Sequence, residues 1–198
     1  DESGEDQDSR LSLEAEFHRT RFGLGTGLWV LGVVHNPHAD RVTDVRMRVT
    51  LLDEEGTAVG QADGGLGRPL DPSERAAVAV QVPKPVAHED LRLDATAVVD
   101  EGPAPDPLAL QLVHEPPQRA DLGGWYILGS VTNTGAASIE GARVEVQAFD
   151  RGGKLLGLDW IDLDSVPAGA SVDLEVGDLR YEEAPTRFLL LLRGPAPE

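Results

Sequence analysis

Cysteine is absent, so disulfides and thiolate metal centres are excluded and the redox compartment cannot be read from the chain. Lysine is almost absent too, at Lys84 and Lys154 only, within a balance of 17 basic against 35 acidic side chains and a formal charge of −18. That balance opposes phosphate backbones and anionic lipid, both of which need neutralising Lys and Arg, so nucleic acid is not an expected partner. Long apolar stretches are missing: the longest, Leu28–Val34 and Phe188–Leu192, fall far short of the ~20 residues of a membrane helix. Aromatic residues are few, and helical periodicity is nearly absent.

What is present is a duplication. Residues 11–60 and 108–157 repeat without a gap, 97 positions apart. Leu31-Gly32, Val34, Asn36, Arg46, Val49, Asp53, Gly56 and Gly60 return as Leu128-Gly129, Val131, Asn133, Arg143, Val146, Asp150, Gly153 and Gly157. A repeat of this length implies two copies of one small domain. Short Val- and Leu-rich alternating runs, bounded by Gly, Pro, Asn and Asp, point to an all-β protein of two tandem immunoglobulin-like antiparallel β-sandwich domains. The expected layout is an acidic tether at 1–10, domain 1 at 11–100, a stiff Pro-rich linker at 101–107, domain 2 at 108–194 and a tail at 195–198. The acidic start, lacking Met, suggests an exported protein, periplasmic or on the cell surface, with a signal or anchor upstream of Asp1.

Comparing the copies assigns faces to the strand at 29–35. Val33 becomes Ser130 and His35 becomes Thr132, so that side is expected to be wet; Val30, Gly32 and Val34 match Ile127, Gly129 and Val131 and are expected to be buried. A Gly within a core face marks a close backbone approach. The next strand alternates Val45, Met47, Val49 and Leu51 with Arg46, Arg48, Thr50 and Leu52, which predicts one dry face and one wet face. Asp53-Glu54-Glu55-Gly56 and Asp150-Arg151-Gly152-Gly153 read as hairpin turns.

The pattern Val30, Gly32, Val34, Asn36, then Val49-Thr50-Leu51-Leu52-Asp53, Gly56 and Val59 resembles the FxLyD domain. The second copy carries it as Ile127, Gly129, Val131, Asn133, then Val146-Gln147-Ala148-Phe149-Asp150, Gly153 and Leu156. Val stands for the family's Phe, Leu52 and Phe149 for its Tyr, and Ala148 for its Leu. The resemblance covers about two thirds of each copy. It implies an immunoglobulin-like sandwich of bacterial envelope proteins and lipoproteins, with no catalytic site. The Asn36-Pro37 turn is similar to that of late-embryogenesis-abundant water-stress domains, another sandwich.

Candidate sites are sparse. His35, His38 and Asp40 are the one cluster of transition-metal ligand types, yet two imidazoles around a Pro turn fall short of the three or four ligands such a site needs. Asp159, Asp162 and Asp164 have the oxygen chemistry of Ca²⁺, but strand alternation sends Asp159 away from the other two. Gly64-Gly65-Leu66-Gly67 lacks the Lys and helix of a phosphate loop and reads as a turn or irregular edge. No nucleophile–base arrangement emerges, so neither an enzyme nor a cofactor is expected. Trp29 with Tyr126, and Leu52 with Phe149, occupy equivalent outward sites and are the candidate partner-binding residues, followed by Trp160 and Tyr181. The expected function is a non-enzymatic interaction or structural subunit that binds a protein partner through sheet edges or exposed faces. The alternatives are a Ca- or Zn-binding extracytoplasmic module and a passive spacer.

Overall fold

A computed structural model describes residues 10–22, 27–103, 107–121 and 123–194, and they form an all-β protein. Thirteen strands run β1 Leu11–Phe22, β2 Leu28–His35, β3 Val42–Leu52, β4 Ala58–Gly65, β5 Arg75–Val82, β6 Asp90–Val99, β7 Leu110–His114, β8 Gln118–Arg119, β9 Trp125–Asn133, β10 Ile139–Phe149, β11 Leu155–Val166, β12 Ser171–Leu179 and β13 Arg187–Arg193. The chain divides into two compact units, Asp1–Pro103 and Ala104–Glu198.

In the first unit the strands follow the order β4-β3-β6-β1-β2-β5, all antiparallel. β1 serves two sheets: Leu11–Leu13 pair with Ala95–Ala97 of β6, and from Glu14 onward β1 pairs with β2. Val30 and Val34 of β2, Val45, Met47, Val49 and Leu51 of β3, and Val78 and Val80 of β5 close the core between the layers. The second unit carries two separate sheets, β11-β10-β13 and β12-β9-β7, with β8 beside β9. Ile127, Val131, Val144, Val146, Leu174 and Val176 are buried between them.

The duplicated residues act alike in both units. A Cβ on Gly32 would collide with the carbonyl of Glu16, and one on Gly129 with that of Val113, so at this position the strand paired alongside crowds the glycine. Asn36 is fully buried; its amide donates to the carbonyls of Asp40, Leu70 and Asp71, and its Oδ1 accepts from the His38 N–H. Asn133 repeats this with Ala137, Val166 and the Gly135 N–H. Asp53 Oδ1 accepts from the backbone N–H groups of Glu55 and Thr57, and Asp150 Oδ1 from that of Lys154. Gly56 and Gly153 supply the positive φ (77° and 84°) that these hairpins require.

Several expectations need correction. The side of β2 read as wet is covered: Leu31 is buried and Val33 is only 8% exposed. The cause is lateral, since Glu16 of β1 and Ala77 of β5 flank Val33 in a central strand. Thr50 and Gln147 are likewise buried on outward positions, each with a neighbouring strand on both sides. Arg10 is tied into the first unit: its guanidinium donates to Asp44 and Thr96. At the other end, Glu101-Gly102-Pro103 is held against that unit, because Arg41 pairs with Asp100 at 2.8 Å and donates to the carbonyls of Gly102 and Pro103. The rest of the expected tether (1–9), part of the linker (104–106) and the tail lie outside the described residues.

Candidate functional site

The four expected partner-binding residues do not form one exposed set. Trp29 and Tyr126 are half-buried, and the Tyr126 hydroxyl donates to Gln118 at 2.6 Å. Leu52 is half-buried. Phe149 faces outward but is only 7% exposed, because the Arg187 guanidinium lies 4.4 Å from its ring centroid. Tyr181 packs inside, over Gly157 and against Phe188, and its hydroxyl donates to Asp159. Trp160 is the exception, 45% exposed on β11.

The metal candidates are used elsewhere. His35 Nδ1 is 2.6 Å from a Glu14 carboxylate oxygen, while His38 Nε2 donates to the Ser12 carbonyl at 2.9 Å. Asp40 is exposed, and its carbonyl serves Asn36. Asp162 pairs with Arg143 at 2.6 Å, and Asp159 takes the Tyr181 hydroxyl. Among the described residues no three His, Cys, Asp or Glu side chains come together. Gly64 and Gly65 close the edge strand β4, and Gly67 makes the turn after it at a φ of 54°. An open hollow of about 410 Å³ is lined by Trp125, Tyr126, Asp121, Asp178 and Arg180 among others. Within it Asp178 pairs with Arg180 at 2.7 Å and Tyr126 with Gln118.

The surface that distinguishes the two units is the outer face of β11-β10-β13. Strand pairing lays it out in rungs: Asp162–Arg143–Arg193, then Trp160–Glu145–Leu191, then Leu158–Gln147–Leu189, with Phe149–Arg187 at the end. The equivalent face of β4-β3-β6 reads Gly65–Arg46–Thr96, Asp63–Arg48–Asp94, Gln61–Thr50–Arg92, with Leu52–Asp90 at the end. The 97-residue offset holds at every rung. Asp63 therefore becomes Trp160, Gln61 becomes Leu158, Arg92 becomes Leu189 and Asp94 becomes Leu191.

The first unit laces its face with ion pairs, Arg48–Asp63 and Arg92–Asp94, both at 2.7 Å. The second unit keeps charge pairs along its central strand, Arg143–Asp162 and Arg193–Glu145 at 3.4 Å, and sets apolar side chains on the flanking strands β11 and β13. Leu189 is 41% exposed, and the Arg143 guanidinium sits 5.2 Å from the Trp160 ring centroid. Exposed aromatic and leucine side chains thus flank a polar central strand, where the first unit has charged and amide side chains. Leu158, Leu189 and Leu191 escaped the sequence reading. The available signal was the repeat offset, which stays at 97 in β11 and β13 and slips by one residue only in β12.

No known family signature matches the chain, and no curated protein does. Among solved structures it is similar to red sea bream transglutaminase, at 11% identity over 92% of this chain and 29% of that one, with a TM-score of 0.31. A β-glucuronidase from glycoside hydrolase family 2 is similar at 10% identity, over 92% of this chain and 22% of that one, with a TM-score of 0.25. The chain thus spans under a third of the length of either protein.

Proposed function

We propose that this chain is a pair of immunoglobulin-like sandwich modules of the FxLyD kind, serving as a non-enzymatic interaction subunit in a bacterial envelope or surface assembly. The outer face of β11-β10-β13 takes a protein partner. The observation that carries this reading is the exchange of Asp63, Gln61, Arg92 and Asp94 for Trp160, Leu158, Leu189 and Leu191 at equivalent rungs of one scaffold. The scaffold is satisfied by polar residues there, as the first unit demonstrates, so the apolar set serves something other than folding. Export and envelope location follow from the family resemblance.

The test is quantitative capture from the native source, comparing the chain with Trp160→Ala, Leu189→Asp and Asp63→Ala. Trp160 as the aromatic anchor of a docking patch is worth about 2 kcal/mol or more, roughly a 30-fold loss of affinity on truncation. A partner is expected to be depleted by the two second-unit changes and retained with Asp63→Ala, with all three melting within a few degrees of the parent. Retention of every partner by Trp160→Ala and Leu189→Asp would leave the spacer reading in its place.

A further inference from the structure

We infer that the open hollow at the end of β12 binds a saccharide, held by the Asp178–Arg180 pair and the Tyr126 ring. It lies on the sheet β12-β9-β7, so it stands or falls independently of a protein partner on the outer face of β11-β10-β13. Its volume of about 410 Å³ is within the range of small-ligand sites. The hollow goes with a departure from the repeat. In the first unit β2 and β5 pair without a break from Leu28–Val82 to His35–Arg75, and Trp29 pairs with Gln81. In the second unit the β9–β12 register breaks between Val176 and Leu179, so Gly177 and Asp178 stand opposite Tyr126 where the first unit has Gln81 alone. A bulge of this kind re-aims side chains and recurs next to active sites. A Cβ on Gly177 would meet nothing within 4 Å, so the added residue leaves space open. Asp178 takes a left-handed φ of 54°. The other two such non-glycine residues among those described, Asp44 and Ser73 (46° and 61°), have glycines as counterparts, Gly141 and Gly169 (65° and 68°), so the scaffold itself demands that conformation there. Asp178 has no such counterpart. Its strain belongs to the bulge, and strain that a fold can do without persists at ligand clamps and active sites.

The lining selects the ligand. Arg180 Nε donates to Asp178 Oδ1 at 2.7 Å, a bond that leaves Oδ2 and both terminal guanidinium nitrogens outside it. A carboxylate only accepts and a guanidinium only donates, whereas a hydroxyl does both. Of two adjacent sugar hydroxyls, one can therefore donate to Asp178 while its neighbour accepts from Arg180, with the ion pair intact. The Tyr126 hydroxyl is fixed on Gln118 at 2.6 Å, and Gln118 in turn donates to Glu115. The ring is thus held in place before any ligand arrives, which lowers the cost of binding. Its negative face suits the C–H face of a pyranose. An anion would meet Asp121 and Asp178 in a chain of net charge −18, and a cation would meet Arg180. A neutral polyhydroxylated ring meets neither obstacle.

The experiment is an NMR titration of the isotope-labelled full chain with the methyl β-glycosides of glucose, galactose, mannose and N-acetylglucosamine, and separately with choline chloride. Each is taken to about 20 mM, because a ligand of this size on an open site binds with roughly millimolar affinity. The expected result is a saturable shift at Gly124, Tyr126 and Asp178 with at least one glycoside, while Trp29 and Gln81 of the first unit stay unmoved. Asp178→Gly is expected to weaken that glycoside about tenfold or more, the value of a hydrogen bond to a charged group. It should melt no lower than the parent, because glycine accepts the left-handed backbone and an exposed ion pair contributes little. Tyr126→Leu, which removes the ring, is expected to weaken binding about tenfold as well. Absence of a saturable shift with all of the glycosides overturns the inference, and so does a response to choline alone, which would make the hollow a cation site. Equal binding by Asp178→Gly overturns it too. So does an Asp178→Gly chain that melts several degrees below the parent, since Asp178 would then be part of the fold.

Discussion

At position 37 a proline removes the N–H that its counterpart Thr134 donates to the Ala109 carbonyl at 2.9 Å. The equivalent carbonyl in the first unit belongs to Ser12, and it receives the His38 imidazole instead. His38 thus restores, by side chain, a bond that its neighbour cannot make by backbone, which explains a histidine that the second unit replaces with Gly135. The prediction is a coupled pair. His38→Ala should cost about 1 kcal/mol, the ordinary net value of one hydrogen bond, and should cost measurably less in a Pro37→Thr background, where the backbone donor is back. A double-mutant cycle by urea denaturation reads this directly, because the proline's effect on the unfolded chain cancels within the cycle. Equal costs in both backgrounds would remove the pairing.

Among the elements, β1 and β2 show how far the duplication carries and where it stops. Gly32 and Gly129 were legible as close approaches, and Asn36 and Asp53 as invariants of the repeat, because each serves backbone groups within its own copy. Burial of Val33 was not legible, since it depends on strands that flank β2 from distant sequence rather than on alternation along it. The apolar face was hidden for the same reason. Trp160 was legible as a candidate, but Leu158 and Leu189-x-Leu191 lie about thirty residues apart, and only β11 and β13 laid on either side of β10 bring them onto its face. The glycine carries its own prediction. Gly32→Ala places a methyl against the Glu16 carbonyl and the Leu93 side chain, beside the β1 bulge between Phe17 and Arg19. Relief requires the backbone of β1 to lift, and overpacking of this kind costs typically 1–3 kcal/mol. Hydrogen exchange should show lost protection at the β1–β2 pairing first. Unchanged protection there would mean that β1 yields at no cost.

For the molecule as a whole, an acidic chain must hold itself together with few cations, and it places two of them at the boundaries of the first unit. Arg10 ties the start of β1 to Asp44 and Thr96, and Arg41 ties the stretch after β6 through Asp100, Gly102 and Pro103. The hydrogen bond from Arg10 holds the Asp44 carboxyl below its ordinary value, against the opposing effect of partial burial and with help from Arg46. The Gly102 N–H, foremost, and then Arg41 do the same for Asp100. Both folded pKa values are depressed, so the stabilisation they report is present above the unfolded carboxylate pKa, near 3.8, and is lost as pH falls through the lower folded values. Urea denaturation from pH 7 to pH 2 should therefore show a constant gap between the parent chain and Arg41→Met from neutrality down to about pH 4, the gap closing below that. Arg10→Met should follow the same course. A gap that persists undiminished at pH 2 would mean that the arginine acts through packing of its stem and its bonds to carbonyls, leaving the carboxylate as a bystander.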